Sequence, residues 1–349
     1  MKKKSRVSSL LVVIALVVIT FSINFTLGKQ VDAAPVFAKG ADISWVSGME
    51  AQGYHWKDKN GVTRDIIQIL KDDYQINSVR IRVWVNPNMS DYRNGYMNAE
   101  KAALLAKRAK DQGMNVMLTL HYSDSWADPG HQTKPYAWRN FNFNQLMDAV
   151  WSHTVYVMNT MKNNGVTPDW VQIGNETNGG MLWEDGRASL NMKNYALLVN
   201  TGNNAVKNIF PSTKTIVQLA FGHDNSEFVW NIGGLINNGA TFDIIGMSLY
   251  PVPSDWSEKV NQTISNANDM ISRYGKSIMI SEIGMDYNQP AAAKSFIADI
   301  KTKVRNLSGG KGLGVFYWEP QAPPGYNNYN KGAWQADGKP TIALEGFLN

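Results

Sequence analysis

Eight short apolar runs, each separated from the next by a longer segment with apolar residues at helical spacing, constrain this chain more than any other feature. They are residues 39–44 (KGADIS), 78–84 (SVRIRVW), 114–122 (MNVMLTLHY), 170–176 (WVQIGNE), 215–220 (TIVQLA), 242–250 (FDIIGMSLY), 277–284 (SIMISEIG) and 312–318 (GLGVFYW). Runs that are apolar almost throughout suit parallel strands buried on both faces. The intervening segments carry helix signals. Ala102, Leu105, Ala106 and Ala109 repeat at helical spacing behind Asn98 as N-cap, and Gly113 closes the segment. Phe296, Ile297, Ile300, Val304 and Leu307 form a second stripe that ends at Gly309 and Gly310. Eight such units predict an α/β fold, a single-domain (β/α)8 TIM barrel. A doubly wound open sheet is the rival arrangement of the same pattern.

Composition supports a large core, with 44% hydrophobic and 18% charged residues in 349. The long apolar run at residues 10–19 follows Lys2, Lys3, Lys4 and Arg6 and precedes the small-residue site Val31-Asp32-Ala33. It is too short to span a bilayer comfortably, so residues 1–33 read as a signal peptide and 34–349 as the barrel of a secreted, extracellular protein, with an uncleaved anchor as the alternative. Removing the leader takes five basic residues and one acid from a formal charge of +5, leaving +1. A near-neutral surface gives no case for nucleic acid or membrane as partner, and a monomer is expected. With no cysteine, neither disulfides nor thiolate metal sites can form. None of His55, His121, His131, His153 and His223 pairs at i, i+4, so no metal or other cofactor is expected. His153 lies on the apolar stripe of its helix with Leu146, Ala149, Val150 and Val157 and reads as a core residue.

In a barrel of this kind chemistry gathers where strands end. The ends here are polar or aromatic: Asp42 and Ser44; Arg80, Arg82 and Trp84; His121 and Tyr122; Asn175 and Glu176; Tyr250; Glu282; Trp318 and Glu319. Glu176 on the fourth run and Glu282 on the seventh would face each other across the barrel mouth. Two carboxyls so placed suit glycosidic bond cleavage, one protonated as acid and the other charged. Alternation puts Arg80, Arg82 and Trp84 on one face, where Arg80 could keep the second carboxylate ionised. The blander account has both glutamates merely neutralising buried arginines. Trp126, Trp138, Trp183, Trp318, Tyr122 and Tyr250, at or just after strand ends, favour a sugar cleft, whereas Trp151 and Trp230 fit a core role within helices. Alternation turns Glu319 away from Trp318, which points to a structural role.

RIRVWVNP (80–87), HYSDSWADPGHQTKP (121–135), IGNETNGGMLW (173–183) with Gly186-Arg187 after it, and GVFYWEP (314–320) resemble, in order and spacing, the family 53 glycoside hydrolases, the endo-β-1,4-galactanases. The resemblance spans nearly all of residues 34–349 and is most specific between 78 and 187. It implies a retaining clan A barrel enzyme cleaving internal β-1,4 bonds of galactan, or type I arabinogalactan, by double displacement. It implies Glu176 as acid/base and Glu282 as nucleophile. Asn175 would bond the sugar 2-hydroxyl, Arg80 would hold Glu282 ionised, Tyr250 would contact the nucleophile and Trp318 would floor the subsite of cleavage. His121, Asp124 and Trp126 match a loop that shapes the cleft, and Asp42 and Ser44 match the polar end of the first strand. Three segments depart from the family pattern. LAFGHDN (219–225) lacks a histidine-aspartate motif close to the strand, so no role is carried to His223 or Asp224. MDYNQP (285–290) is shorter than the acidic loop of calcium-binding bacterial members, which implies no calcium, and QAPPGYNNYNKG (321–332) is also short. Alternatives are a clan A enzyme acting on mannan or glucan, a non-catalytic polysaccharide-binding barrel, and a metal-dependent barrel hydrolase.

Overall fold

Each of the eight runs forms a strand in the computed structural model, which describes residues 36–348; the leader assigned to residues 1–33 lies outside the described residues. The strands are β1 (Ala38–Asp42), β2 (Ser78–Val83), β3 (Asn115–Leu120), β4 (Trp170–Ile173), β5 (Lys214–Leu219), β6 (Ile244–Leu249), β7 (Ser277–Ile283) and β8 (Gly312–Tyr317). All pair in parallel with their sequence neighbours, and β8 returns to β1 with Ala38 opposite Gly314 and Ala41 opposite Tyr317. The sheet is therefore a closed barrel, and the open doubly wound alternative is excluded. Helices α1 (Ile66–Tyr74), α2 (Ala99–Asp111), α3 (Phe143–Asn163), α4 (Ala188–Ile209), α5 (Asn225–Asn237), α6 (Trp256–Tyr274) and α7 (Pro290–Arg305) provide the crossovers. After β8 a short 3-10 segment, Ala343–Phe347, packs on α7 in place of a full eighth helix. No helix among the described residues is long and apolar enough to cross a membrane.

Local chemistry explains the element ends. Asn98 caps α2 by accepting the Lys101 N–H at 3.0 Å, as its position before the apolar stripe requires. Gly113, at φ 77°, turns the chain after that helix. Alternation divides each strand: Val79, Ile81 and Val83 of β2 join the core between sheet and helices, while Arg80 and Arg82 point into the barrel. Ala38, Met117, Trp170, Ile216, Ile244 and Met279, from the N-terminal halves of their strands, form a separate apolar cluster inside the barrel with Phe316 of β8. Two positions further along, the buried interior turns polar with Thr119, Gln172, Gln218 and Ser281. His153 is half-buried between Trp138 and Tyr122, at the edge of the core and not inside it as expected, and loss of water around its ring pushes its pKa down to about 4. Trp151 and Trp230 correct the expectation of a core role, being 39% and 45% exposed on outward helix faces.

Two irregularities aim the candidate site. β4 stops at Ile173, three residues short of the expected end, because Gly174 adopts φ 80° and Glu176 follows at φ 44°. On β7, Ile280 lies opposite Met247 but Glu282 lies opposite Ser248, so Ser281 is one residue too many. Without that bulge, alternation from the outward Ile278 and Ile280 would send Glu282 outward as well; the extra residue turns it inward.

A Cβ at Gly174 would lie 2.6 Å from Thr177 Cγ2, in a backbone conformation that costs an L residue about 1–2 kcal/mol. Gly174→Ala is expected to lower the thermal midpoint by several degrees. Calorimetry checks this, and an unchanged midpoint would contradict the assigned turn.

Candidate active site

The site is organised around one buried guanidinium. Arg80 meets Asp42 at 2.7 Å through Nη1, and through Nη2 it meets Glu282 Oε1 at 2.7 Å and Asn175 Oδ1 at 2.8 Å. Strands β1, β2 and β7 and the turn after β4 are thus tied to one cation. Glu282 receives two more donors: Gln218 Nε2 at 3.0 Å on Oε1 and the Tyr250 hydroxyl at 2.8 Å on Oε2. Gln218 also donates to Ser248 Oγ at 2.9 Å, which fixes its amide orientation. A carboxylate facing a cation and two neutral donors has the surroundings of a stabilised anion.

Glu176 has the opposite environment. Part of its surface opens to the cleft, yet burial, followed by repulsion from Glu282, pushes its pKa up to about 8 against the weaker pulls of Ser248 and Arg80. One carboxyl is therefore held protonated near neutral pH beside another that is matched to cationic and neutral donors. That separation of environments is the signature of an acid paired with a nucleophile or base.

Around the pair lies a cleft of about 320 Å³ lined by His121, Trp126, Asp128, Asn175, Tyr250, Trp318, Tyr329 and Lys331, with both glutamates. His121 Nδ1 accepts the Trp84 indole N–H and the Ala127 backbone N–H, each at 3.2 Å, so its proton sits on Nε2. Burial, then the charges of Arg82 and Arg80, hold its pKa well below the usual histidine value, making it a neutral donor. Asn175 gives one Nδ2 hydrogen to Ala127 O at 2.8 Å and keeps the other for a ligand. Beneath the aromatic wall the Arg82 guanidinium lies 4.5 Å from the Trp126 ring, 5.1 Å from Trp45 and 5.4 Å from Trp318. Its Nη2 approaches Glu319 at 2.6 Å as an ion pair, although no Arg82 side-chain N–H is aligned on an acceptor among the described residues.

Of the residues expected to touch substrate, His121, Trp126, Asn175, Glu176, Tyr250, Glu282 and Trp318 line the cleft. Four lie behind it. Asp42 and Arg80 are fully buried, Ser44 donates to Asp42 at 2.6 Å, and Asp124 braces the wall by accepting the Asn86 and Tyr136 N–H groups at 3.0 and 2.8 Å. Tyr122 and Trp138 are core residues, and Trp183 lies under Arg187, outside the cleft. Glu319 takes φ 45°, which breaks alternation and turns its carboxylate toward Arg82 and the Trp45 N–H; burial pushes its pKa up to about 8 even so. Sequence reasoning missed Gln218 and Ser248, single polar residues at inward positions of otherwise apolar strands, a pattern that could have revealed them. It also missed Tyr329 and Lys331, loop residues that carry no periodic signal. Lys331 pairs with Asp286 at 2.5 Å between the loops after β7 and β8. Among the described residues no three His, Cys, Asp or Glu side chains converge to hold a metal ion.

A closed parallel barrel with two glutamates of contrasting environment at the ends of β4 and β7, set in an aromatic cleft, defines a barrel glycoside hydrolase. The chain belongs to glycosyl hydrolase family 53, whose pattern matches residues 38–339. A probable arabinogalactan endo-β-1,4-galactanase A of Aspergillus fumigatus is 34% identical over 310 residues, covering 82% of this chain and 85% of the relative. Among solved structures, a fungal β-1,4-galactanase superimposes with a TM-score of 0.82 at 29% identity, covering 90% of this chain and 100% of its own. A family 53 catalytic domain from Ignisphaera aggregans gives 0.81 at 29% identity, covering 89% and 95%.

A carboxyl whose folded pKa exceeds its unfolded value contributes stability that is full below the unfolded pKa and is lost as pH rises through the folded one. For Glu176 that window runs from its ordinary value of 4.5 to about 8. Glu176→Gln should therefore gain thermal stability relative to the parent between pH 5 and about 8.5. Melting curves across this range check it, and a constant difference would contradict the raised pKa.

Proposed function

We propose that the protein is an exported, monomeric, retaining endo-β-1,4-galactanase that hydrolyses galactan or type I arabinogalactan, such as pectic side chains. Family membership and the activity of relatives such as the arabinogalactan endo-β-1,4-galactanase of Thermothelomyces thermophilus, 33% identical over 303 residues, support the substrate. Export rests on the charged, apolar and cleavable segments of residues 1–33, read as a removed leader.

The contrast between Glu176 and Glu282 carries the mechanism. A galactosyl ring rests on Trp318, with its 2-hydroxyl bonded by the free Asn175 Nδ2 hydrogen. Glu282, aligned by Tyr250 and Gln218, attacks the anomeric carbon. As the glycosidic bond breaks, Glu176 gives its proton to the leaving oxygen, and a covalent glycosyl-enzyme ester forms. Glu176, now a carboxylate, takes a proton from water while that water attacks the same carbon. The Glu282 ester bond breaks, and the sugar leaves with its original anomeric configuration. Arg80 offsets the negative charge of Glu282 in the free enzyme and again as the ester is released. His121 Nε2–H donates to a hydroxyl in the same cleft.

Retention and substrate are tested together by following linear β-1,4-galactan hydrolysis by proton NMR. The β-anomer is expected to appear first, and an α-anomer product or inertness toward galactan would overturn the reading. Glu176→Gln should slow galactan hydrolysis by about a hundred- to ten-thousand-fold. Glu282→Ala should be inactive until azide restores turnover with an inverted product.

A further inference from the structure

Two further cavities flank the central cleft, and their linings differ in a way that assigns a direction. One, about 320 Å³, is lined by Trp45, Trp126, Trp318 and Tyr329 with Asn327 and Asn328, and includes neither glutamate. The other, about 250 Å³, is lined by Pro129, Phe221, His223 and Lys259 and shares Glu176 and Tyr250 with the central cleft, but not Glu282. In a double displacement the ring under attack sits over the nucleophile, and the departing sugar sits beside the proton donor. The cavity that contains the donor without the nucleophile is therefore on the leaving-group side.

Phe221 is the unusual residue there. The residue is 54% exposed and its backbone is at φ 58°, a left-handed conformation costly for an aromatic residue. The turn is held by the Asp224 N–H on Phe221 O at 2.7 Å and by the Gly222 N–H on Ser248 O at 2.8 Å. The His223 ring stands edge-on to Phe221 at 6.4 Å and 84°. His223 Nδ1 is buried with no hydrogen-bond partner among the described residues. Lys259 is balanced by Asp255 at 3.1 Å, so the cavity offers a ring face and polar tips without a net demand for an anion. A neutral pyranose matches that lining, its apolar face on the ring and its hydroxyls on His223 and Lys259.

We infer that Phe221 and His223 form the leaving-group subsite, which holds the galactopyranose on the reducing-end side of the bond that breaks. This rests on Glu176 being the acid. The subsite also receives the acceptor sugar when the glycosyl-enzyme is intercepted by a saccharide instead of water.

The test compares β-1,4-galactotetraose with β-galactobiosyl fluoride, whose fluoride departs without a proton donor and fills no leaving-group subsite. In Phe221→Ala, kcat/KM for the tetraose should fall about ten-fold or more beyond any fall for the fluoride, and transfer to added galactobiose should fall in parallel. Phe221→Tyr, which keeps the ring, should restore both. Equal losses on the two substrates, or no loss on the tetraose, would overturn the subsite. Glu176→Gln on the same pair separates the underlying reading: a surviving burst of fluoride with lost tetraose cleavage supports the acid, and equal effects refute it. If the parent ignores galactotetraose, the galactan assignment fails, and the Phe221 comparison is made on the β-1,4-linked tetraose that it does cleave.

Discussion

The buried Arg80 guanidinium is the constraint on which the rest of the site depends. A charge with no exposed surface is tolerated inside a protein only when acids and dipoles replace its water, and Asp42, Glu282 and the Asn175 amide supply them. Removing one partner of such a group typically costs about 3–5 kcal/mol, so the arrangement is stable only when complete. This is why residues far apart in sequence meet within a few ångströms. The blander account, in which the glutamates merely neutralise arginines, describes Glu319 against Arg82 well. It does not describe Glu176, which lines the cleft and forms no ion pair with an arginine among the described residues.

Much of this was legible in the sequence because a parallel barrel writes itself as continuous apolar runs, and all eight strands lie where such runs occur. The acids were legible because a carboxylate at the end of an apolar strand has no packing reason to be there. Their exact aim was not. Glu282 faces the cleft only because Ser281 is an extra residue on β7, and a bulge leaves no mark in the hydrophobic pattern. Likewise, Gly174 ends β4 early and sends Asn175 and Glu176 into a turn that an extended reading does not contain.

Other differences have a common cause. Asp42, Ser44, Arg80 and Asp124 carry sugar-binding chemistry in their residue types, but the barrel uses their hydrogen-bonding capacity internally, to hold the groups that reach the cleft. Trp151 and Trp230 show the reverse, since aromatic rings at helical spacing need not face the core. Tyr329, Lys331, Phe221 and His223 lie in loops, where placement depends on tertiary closure and not on periodicity. The two walls of the cleft thus differ in origin: strand ends supply the paired glutamates and loops supply the surfaces beside them.

The central claim is that Glu282 bonds covalently to the sugar while Glu176 manages the proton. The most direct measurement is mass spectrometry of the protein after reaction with a 2-deoxy-2-fluoro-β-galactobioside bearing an activated leaving group. The account predicts one stable glycosyl adduct, located on the peptide that contains Glu282. An adduct on Glu176 or Glu319, or turnover with no adduct and inversion at the anomeric carbon, would contradict it.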